Sequence, residues 1–211
     1  MTDTHFYEPS KGHRLPHSPL KAIIAPRPIG WVSTVDCAGN VNLAPYSFFN
    51  AVCETPPIVY FSSLGEKDSL VNARATGEFV VNIASRSLAE QMNLTSADLP
   101  RGHDEMKFAG LEPAASTLVR PPRVAAAPAA LECRLIGIQE LAGVDGVKSG
   151  WLMVLGEVVG IHIDPACLKD GIFDTAAAHL IARCGYRGYY ASVDSMFEMV
   201  RPTDASALSS T

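Results

Sequence analysis

The sequence predicts a mainly β fold with short helices, its strands antiparallel and closed into a small barrel. Three observations carry this. About six or seven short runs rich in β-branched and aromatic residues are separated by glycine, proline and asparagine turns. No βαβ alternation is present, and no GxGxxG follows a first strand, which counts against a doubly wound dinucleotide-binding sheet. Glycines fall inside the long run "WLMVLGEVVGIHI" from Trp151 to Ile163, at Gly156 and Gly160, where barrel corners need bends or bulges.

In chain order, residues 1–19 are polar and rich in proline and histidine, and read as an arm leading into a domain over 20–200. "PIGWVSTV" and "VNLAPYSFFNAV" form a hairpin about the turn "DCAGN", with Gly39 free to take a positive φ. Pro45 cannot donate to a ladder, so the returning strand is an edge or is bulged, and it is expected to be irregular over Tyr46–Asn50. "PPIVYFSS" is the next strand. "EKDSLVNARATG" reads as a helix capped by Asp68 or Ser69 and closed by Gly77. "EFVVNIA" is a strand, and "SLAEQMNLTSADLP" a helix with Leu88 and Met92 facing inward. Residues 101–123 have loop composition, and a loop of that length is functional or disordered. Two strands follow, from "AALECRLIGIQEL" and from Trp151 to Ile163. "TAAAHLIARCGYRGYYASV" starts as a short helix, and residues 201–211 read as a fraying tail.

The bulk properties exclude several functions. The 211 residues suit one domain. The net charge is −5 and no basic run or basic-aromatic stripe occurs, so nucleic acid is not an expected partner. The longest apolar stretch, "VAAAPAAL", is far short of the about 20 residues of a bilayer span, and no apolar leader begins the chain. A cytoplasmic protein with no membrane contact is expected. Cysteines at 37, 53, 133, 167 and 184 form no CxxC pair and read as reduced, mostly buried thiols, with no metal site. Hydrophobic residues make up 47% and charged residues only 18%, a balance expected when some surface is covered in an oligomer.

Familiar catalytic arrangements are weak. GxSxG is absent. His162 lies among isoleucines and reads as structural, while His103, Asp104 and Glu105 form either a solvated polar loop or an acid–base cluster. Three places do combine a strand end with compact hydrogen-bonding groups: Arg27 to Trp31, Ser47 to Asn50, and Ser62 and Ser63 followed by Lys67, Asp68 and Ser69. The third leads into a helix N-terminus, where unpaired N–H groups and the helix dipole favour an anion. The alternative for this third place is an ordinary helix cap beside a solvated lysine.

"APRPIGWVSTVDCAGNVNLAPYSFFN", "PPIVYFSS", "KDSLVNARATGEFVVNI" and "GEVVGIHI" together resemble the flavin reductase-like family with the FMN-binding split barrel, over roughly Leu20 to Val193. The resemblance implies a split β-barrel with a six-stranded antiparallel Greek-key core. It also implies a homodimer with FMN near the subunit interface. The implied activity is hydride transfer from NADH or NADPH to flavin, and onward to free flavin or an electron-accepting protein. Some such proteins bind FMN and carry electrons without a nicotinamide site. Carried onto this chain, Arg27, Pro28, Ile29, Gly30 and Trp31 would lie along the flavin ring, extended by Ser33 and Thr34. Ser47, Phe48, Phe49 and Asn50 would approach the ribityl chain and phosphate. Ser62, Ser63, Lys67, Asp68 and Ser69 would complete the phosphate cradle, and Tyr189 or Tyr190 would close over the ring. No covalent nucleophile and no metal are implied.

Overall fold

The structure is a computed structural model and describes residues 4–201. Fourteen strands are formed: β1 (Arg27–Pro28), β2 (Gly30–Val35), β3 (Val41–Tyr46), β4 (Phe49–Glu54), β5 (Pro57–Leu64), β6 (Glu78–Ile83), β7 (Pro113–Ala114), β8 (Arg123–Val124), β9 (Ala129–Ala142), β10 (Lys148–Ile163), β11 (Leu168–Lys169), β12 (Ile172–Phe173), β13 (Ile181–Arg183) and β14 (Tyr190–Ser192). Four short helices accompany them: α1 (Leu20–Ile23), α2 (Asp68–Thr76), α3 (Ala89–Leu94) and α4 (Glu105–Phe108).

Seven strands make one antiparallel sheet in the order β3-β2-β6-β9-β10-β5-β4. β3 and β4 stand at opposite ends of that order, yet only Ser47 and Phe48 separate them. A flat sheet of this size would hold its edges roughly 29 Å apart at about 4.8 Å per strand. The chain from Tyr46 to Phe49 reaches about 11 Å at most. The sheet therefore curls into a barrel. Where its ends meet, Tyr46 packs on Phe61 with ring centroids 4.7 Å apart, and the Ser62 N–H donates to the Phe48 carbonyl at 2.9 Å. Seven strands stand where the resemblance implied six. The returning strand, irregular as expected at Tyr46–Asn50, is divided there, and each half pairs on a different side.

β2 is buried on both faces, which the period-two alternation splits cleanly. Val32 joins the barrel interior with Phe49, Phe61, Phe79 and Val154. Trp31 joins a second cluster outside the barrel wall with Leu43, Leu88, Met92 and Met106, covered by α3 and α4. Pairing between β9 and β10 shifts register beside Gly156 and Gly160, so both glycines mark bulges. A Cβ at Gly156 would lie 2.3 Å from Phe79 Cζ, so the strand bends where only glycine admits the ring.

Residues 101–123 are not an open loop. They hold α4 and the β7–β8 hairpin, and they are tied to the barrel wall by buried polar groups. The Ser33 hydroxyl donates to the Pro122 carbonyl at 2.6 Å, and the Val124 N–H donates to Asn82 Oδ1 at 2.8 Å. Glu132 of β9 is fully buried; its Oε1 accepts from the Thr117 N–H (2.7 Å) and pairs with His162 of β10, and its Oε2 accepts from the N–H groups of Leu118 (2.5 Å) and Val119 (3.1 Å). His162 is thus structural, as read.

Three expectations are corrected. The segment from Thr175 forms turns and then β13 rather than a helix, because the chain is drawn into pairing with β1 and β14. Of the five cysteines, Cys133 and Cys167 are buried, whereas Cys37 and Cys53 are exposed; all five are free thiols. Neither Asp68 nor Ser69 caps α2; the cap position falls to Lys67, whose side chain does not cap. The tail over 201–211 lies outside the described residues except for Arg201, as do the first three residues of the arm.

Candidate functional site

The first turn of α2 opens onto a cleft of about 350 Å³, inside the range of small-molecule sites. Asn42, Ala44, Pro45 and Tyr46 of β3 form one wall, Lys67, Asp68 and Ser69 the floor, and Thr95 to Leu99 with Arg101 and Glu105 the other wall. Why small polar residues interrupt the β2–β3 hairpin is answered here. The Asn42 amide donates to Ser69 Oγ at 2.8 Å and to Thr34 Oγ1 at 3.3 Å, and Asn72 donates to the same Thr34 oxygen at 3.2 Å. This buried network fixes the N-terminus of α2 against the barrel. With no side chain capping it, the helix leaves first-turn N–H groups available to an anion.

Two features mark the cleft. The Tyr46 hydroxyl is buried beside the Ser69 and Ser63 hydroxyls, and burial raises its pKa. Charge is also sorted along the cleft. Asp68 is matched by Arg101 at 3.6 Å. Burial raises the Glu105 carboxyl toward its neutral form, against the N–H of Leu43, which donates to it at 2.9 Å. Lys67 is exposed and takes part in no ion pair among the described residues. Asp98 stands exposed on the rim.

The sequence-derived residues fall in several places. Lys67, Asp68 and Ser69 meet in the cleft. Ser62 and Ser63 are buried at the end of β5, opposite Met153 and Leu152, and the Ser63 hydroxyl donates to the Gly65 carbonyl at 3.0 Å. Ser47 and Phe48 are half-buried beyond Tyr46, with Phe48 edge-on to Trp151 at 5.1 Å. Phe49 is a core residue lying against Gly30, where a Cβ would meet its ring at 2.6 Å. Asn50 is exposed on β4.

Trp31, Ser33 and Thr34, read as wall residues, lie on the two covered faces of β2. All three are fully buried, and the Trp31 indole N–H donates to Thr95 Oγ1 at 2.9 Å. Ile29 is likewise core, and Pro28 is half-buried on β1. Arg27 and Tyr190 belong to the β1–β13–β14 sheet, Tyr189 stands just before β14, and none of the three lines the cleft. The reading missed Tyr46, Thr95 to Leu99 and Arg101 as cleft residues. "TSADLP" looked like the end of a helix, but α3 stops at Leu94, and Thr95 turns its hydroxyl back to the Met92 carbonyl at 2.8 Å. Of the mid-chain polar trio, Glu105 reaches the cleft, Asp104 caps α4, and His103 is exposed.

Residues 24–177 match the family described as the flavin reductase like domain, most of the chain and all of the cleft. The chain belongs to the flavin reductase-like family. An uncharacterised protein of Deinococcus radiodurans is 37% identical, over 97% of this chain and 92% of that protein. Among solved structures, the nitrilotriacetate monooxygenase component B from Bacillus cereus is 29% identical with a TM-score of 0.86, covering 94% of this chain and 100% of that one. The 2-nitrobenzoate 2-nitroreductase NbaA of Pseudomonas fluorescens is 27% identical with a TM-score of 0.81, covering 95% of this chain and 97% of that one. The fold of the flavin reductase-like family is thus the split barrel described above. The Arg183–Tyr190 segment lies beyond the matched span.

Proposed function

We propose that the chain is a cytoplasmic FMN-binding oxidoreductase that takes reducing equivalents from NADH or NADPH and passes them to free flavin or to an electron-accepting protein. The observation that carries this is the cleft at α2. An uncapped helix N-terminus and a lysine in no ion pair among the described residues converge on a space of small-molecule size, within a family named for flavin reduction. These groups suit FMN: Lys67 and the first N–H groups of α2 would hold the phosphate, with Ser62, Ser63 and Ser69 beside it as small donors. Ser47 to Asn50, the bend that closes the barrel, would offer backbone donors to the ribityl chain and phosphate. When bound, FMN would supply the hydride acceptor, and the protein's task is to hold the ring and keep one face open to nicotinamide.

A homodimer belongs to this reading. β4 is a sheet edge exposed from Asn50 to Glu54, a position that monomers usually cover or charge. Apolar side chains stand in water nearby in sequence and at the chain's end, among them Val52, Phe197 and Met199. Purified protein loaded with FMN should sediment as a dimer. On rapid mixing with NADH or NADPH its flavin absorbance should bleach. Retained colour with both donors would reject the nicotinamide reaction and leave an electron carrier served by a protein partner.

A further inference from the structure

We propose that Lys21, Arg27, Arg183 and Arg187 form a second anion site, separate from the α2 cleft, that takes a phosphoryl group. These four line a pocket of about 260 Å³ together with Ser18, Gly185 and Tyr186, and no carboxylate is among its walls. None of the four cations takes part in an ion pair among the described residues.

The placement is built into the fold. Arg27 and Arg183 are direct partners in the β1–β13 register, so two like charges share one face of a strand pair. Such a pairing is destabilising unless an anion lies between or beside the charges. Arg27 is 7% exposed, and its Nη1 is held by the carbonyls of Lys21 and Ile24. Its Nε is buried with no partner. Arg183 is oriented by Tyr190, which lies under the guanidinium at 4.7 Å and accepts from Nη1 at 2.6 Å. The remaining donors of both guanidinium groups are planar forks suited to phosphate oxygens, and the exposed Lys21 and Arg187 add charge at the rim. Four positive groups match a phosphate or pyrophosphate better than a single carboxylate. Two sources supply that chemistry here: the pyrophosphate or 2′-phosphate of a nicotinamide dinucleotide, or a free phosphate compound.

Calorimetric titration of the full chain at low salt with inorganic pyrophosphate tests this, in the wild type and in a Lys21→Gln/Arg187→Gln variant whose changes lie in exposed side chains. Saturable binding weakened at least about tenfold in the variant is expected. Lys67→Ala should leave this binding in place. Absence of saturation up to millimolar pyrophosphate, equal affinity in the variant, or loss confined to Lys67→Ala would overturn the site. Parallel titrations assign the source. Weakening of NADH and NADPH alike points to the pyrophosphate, weakening of NADPH alone to the 2′-phosphate, and weakening of neither to a free phosphate compound. The pyrophosphate titration needs no flavin, so failure of FMN binding and failure of this site are read separately.

Discussion

Replacing Glu132 with alanine should lower the stability of the folded chain by about 3–5 kcal/mol, the cost of breaking a buried charged network by removing one partner. Glu132 has no exposed surface, and it satisfies three consecutive N–H groups of the segment at Thr117 to Val119 as well as His162. Alanine would leave those donors buried and orphaned, and water reaches them only if the segment lifts from the barrel. Glutamine keeps one acceptor oxygen and should cost less. The carboxyl also sets a pH dependence. Burial raises its pKa, but the Thr117 N–H, His162 and the Leu118 N–H together outweigh that and hold it below the usual carboxylate range. A depressed folded value means the stabilisation is fully present above the unfolded value of about 4.3 and is lost as pH falls through the folded one. Urea unfolding of the wild type should therefore weaken across that acidic window, and Glu132→Gln should show a shallower loss. Wild-type stability in Glu132→Ala at pH 7 would show that the network holds nothing in place.

Trp31→Ala should cost a comparable amount, about 3–5 kcal/mol, because a fully buried indole leaves a cavity that the rigid wall between two core clusters cannot close. Its effect reaches the cleft by one bond. The indole N–H donates to Thr95 Oγ1, and Thr95 begins the stretch to Leu99 that forms the cleft's far wall. Trp31→Phe retains much of the packing but gives up that hydrogen bond, so it should lose stability mainly through the smaller ring and about 1 kcal/mol of bonding. Hydrogen exchange at Thr95 to Leu99 should quicken in both variants. Unchanged exchange in Trp31→Ala would separate the core from the cleft and remove Trp31 from any part in shaping it.

Much of the barrel was legible because strands announce themselves by composition and turns by glycine and proline. Gly39 and Gly77 adopt the left-handed conformations their positions implied, and Pro45 lies on the edge strand β3. Gly156 and Gly160 mark the bulges of the longest strand. The donor-rich start of α2 was also legible, since a strand end running into a helix places the same groups together in any fold.

What sequence could not give were contacts between distant segments. The resemblance implies Trp31 along the flavin ring, and in one chain its side chain is buried in the second core cluster. Its partner Thr95 lies 64 residues away. Tyr46 gave no sign of its buried hydroxyl, because that burial depends on the ring of Phe61 across the closed barrel. Residues 101–123 show no apolar periodicity, and their packing joins the buried Met106, Leu111 and Val119 to polar ties with Glu132. The resemblance implies Arg27 and Tyr190 beside the flavin ring, and in one chain they assemble around β13, away from the α2 cleft.

The direct measurement is an equilibrium titration of the purified chain with FMN and with riboflavin, repeated on Lys67→Ala. A phosphate gripped at the start of α2 predicts that the wild type binds FMN more tightly than riboflavin, and that losing Lys67 weakens FMN by about 1–3 kcal/mol while leaving riboflavin unchanged. Equal affinity for the two flavins in the wild type, untouched by Lys67→Ala, would contradict the assignment of this cleft.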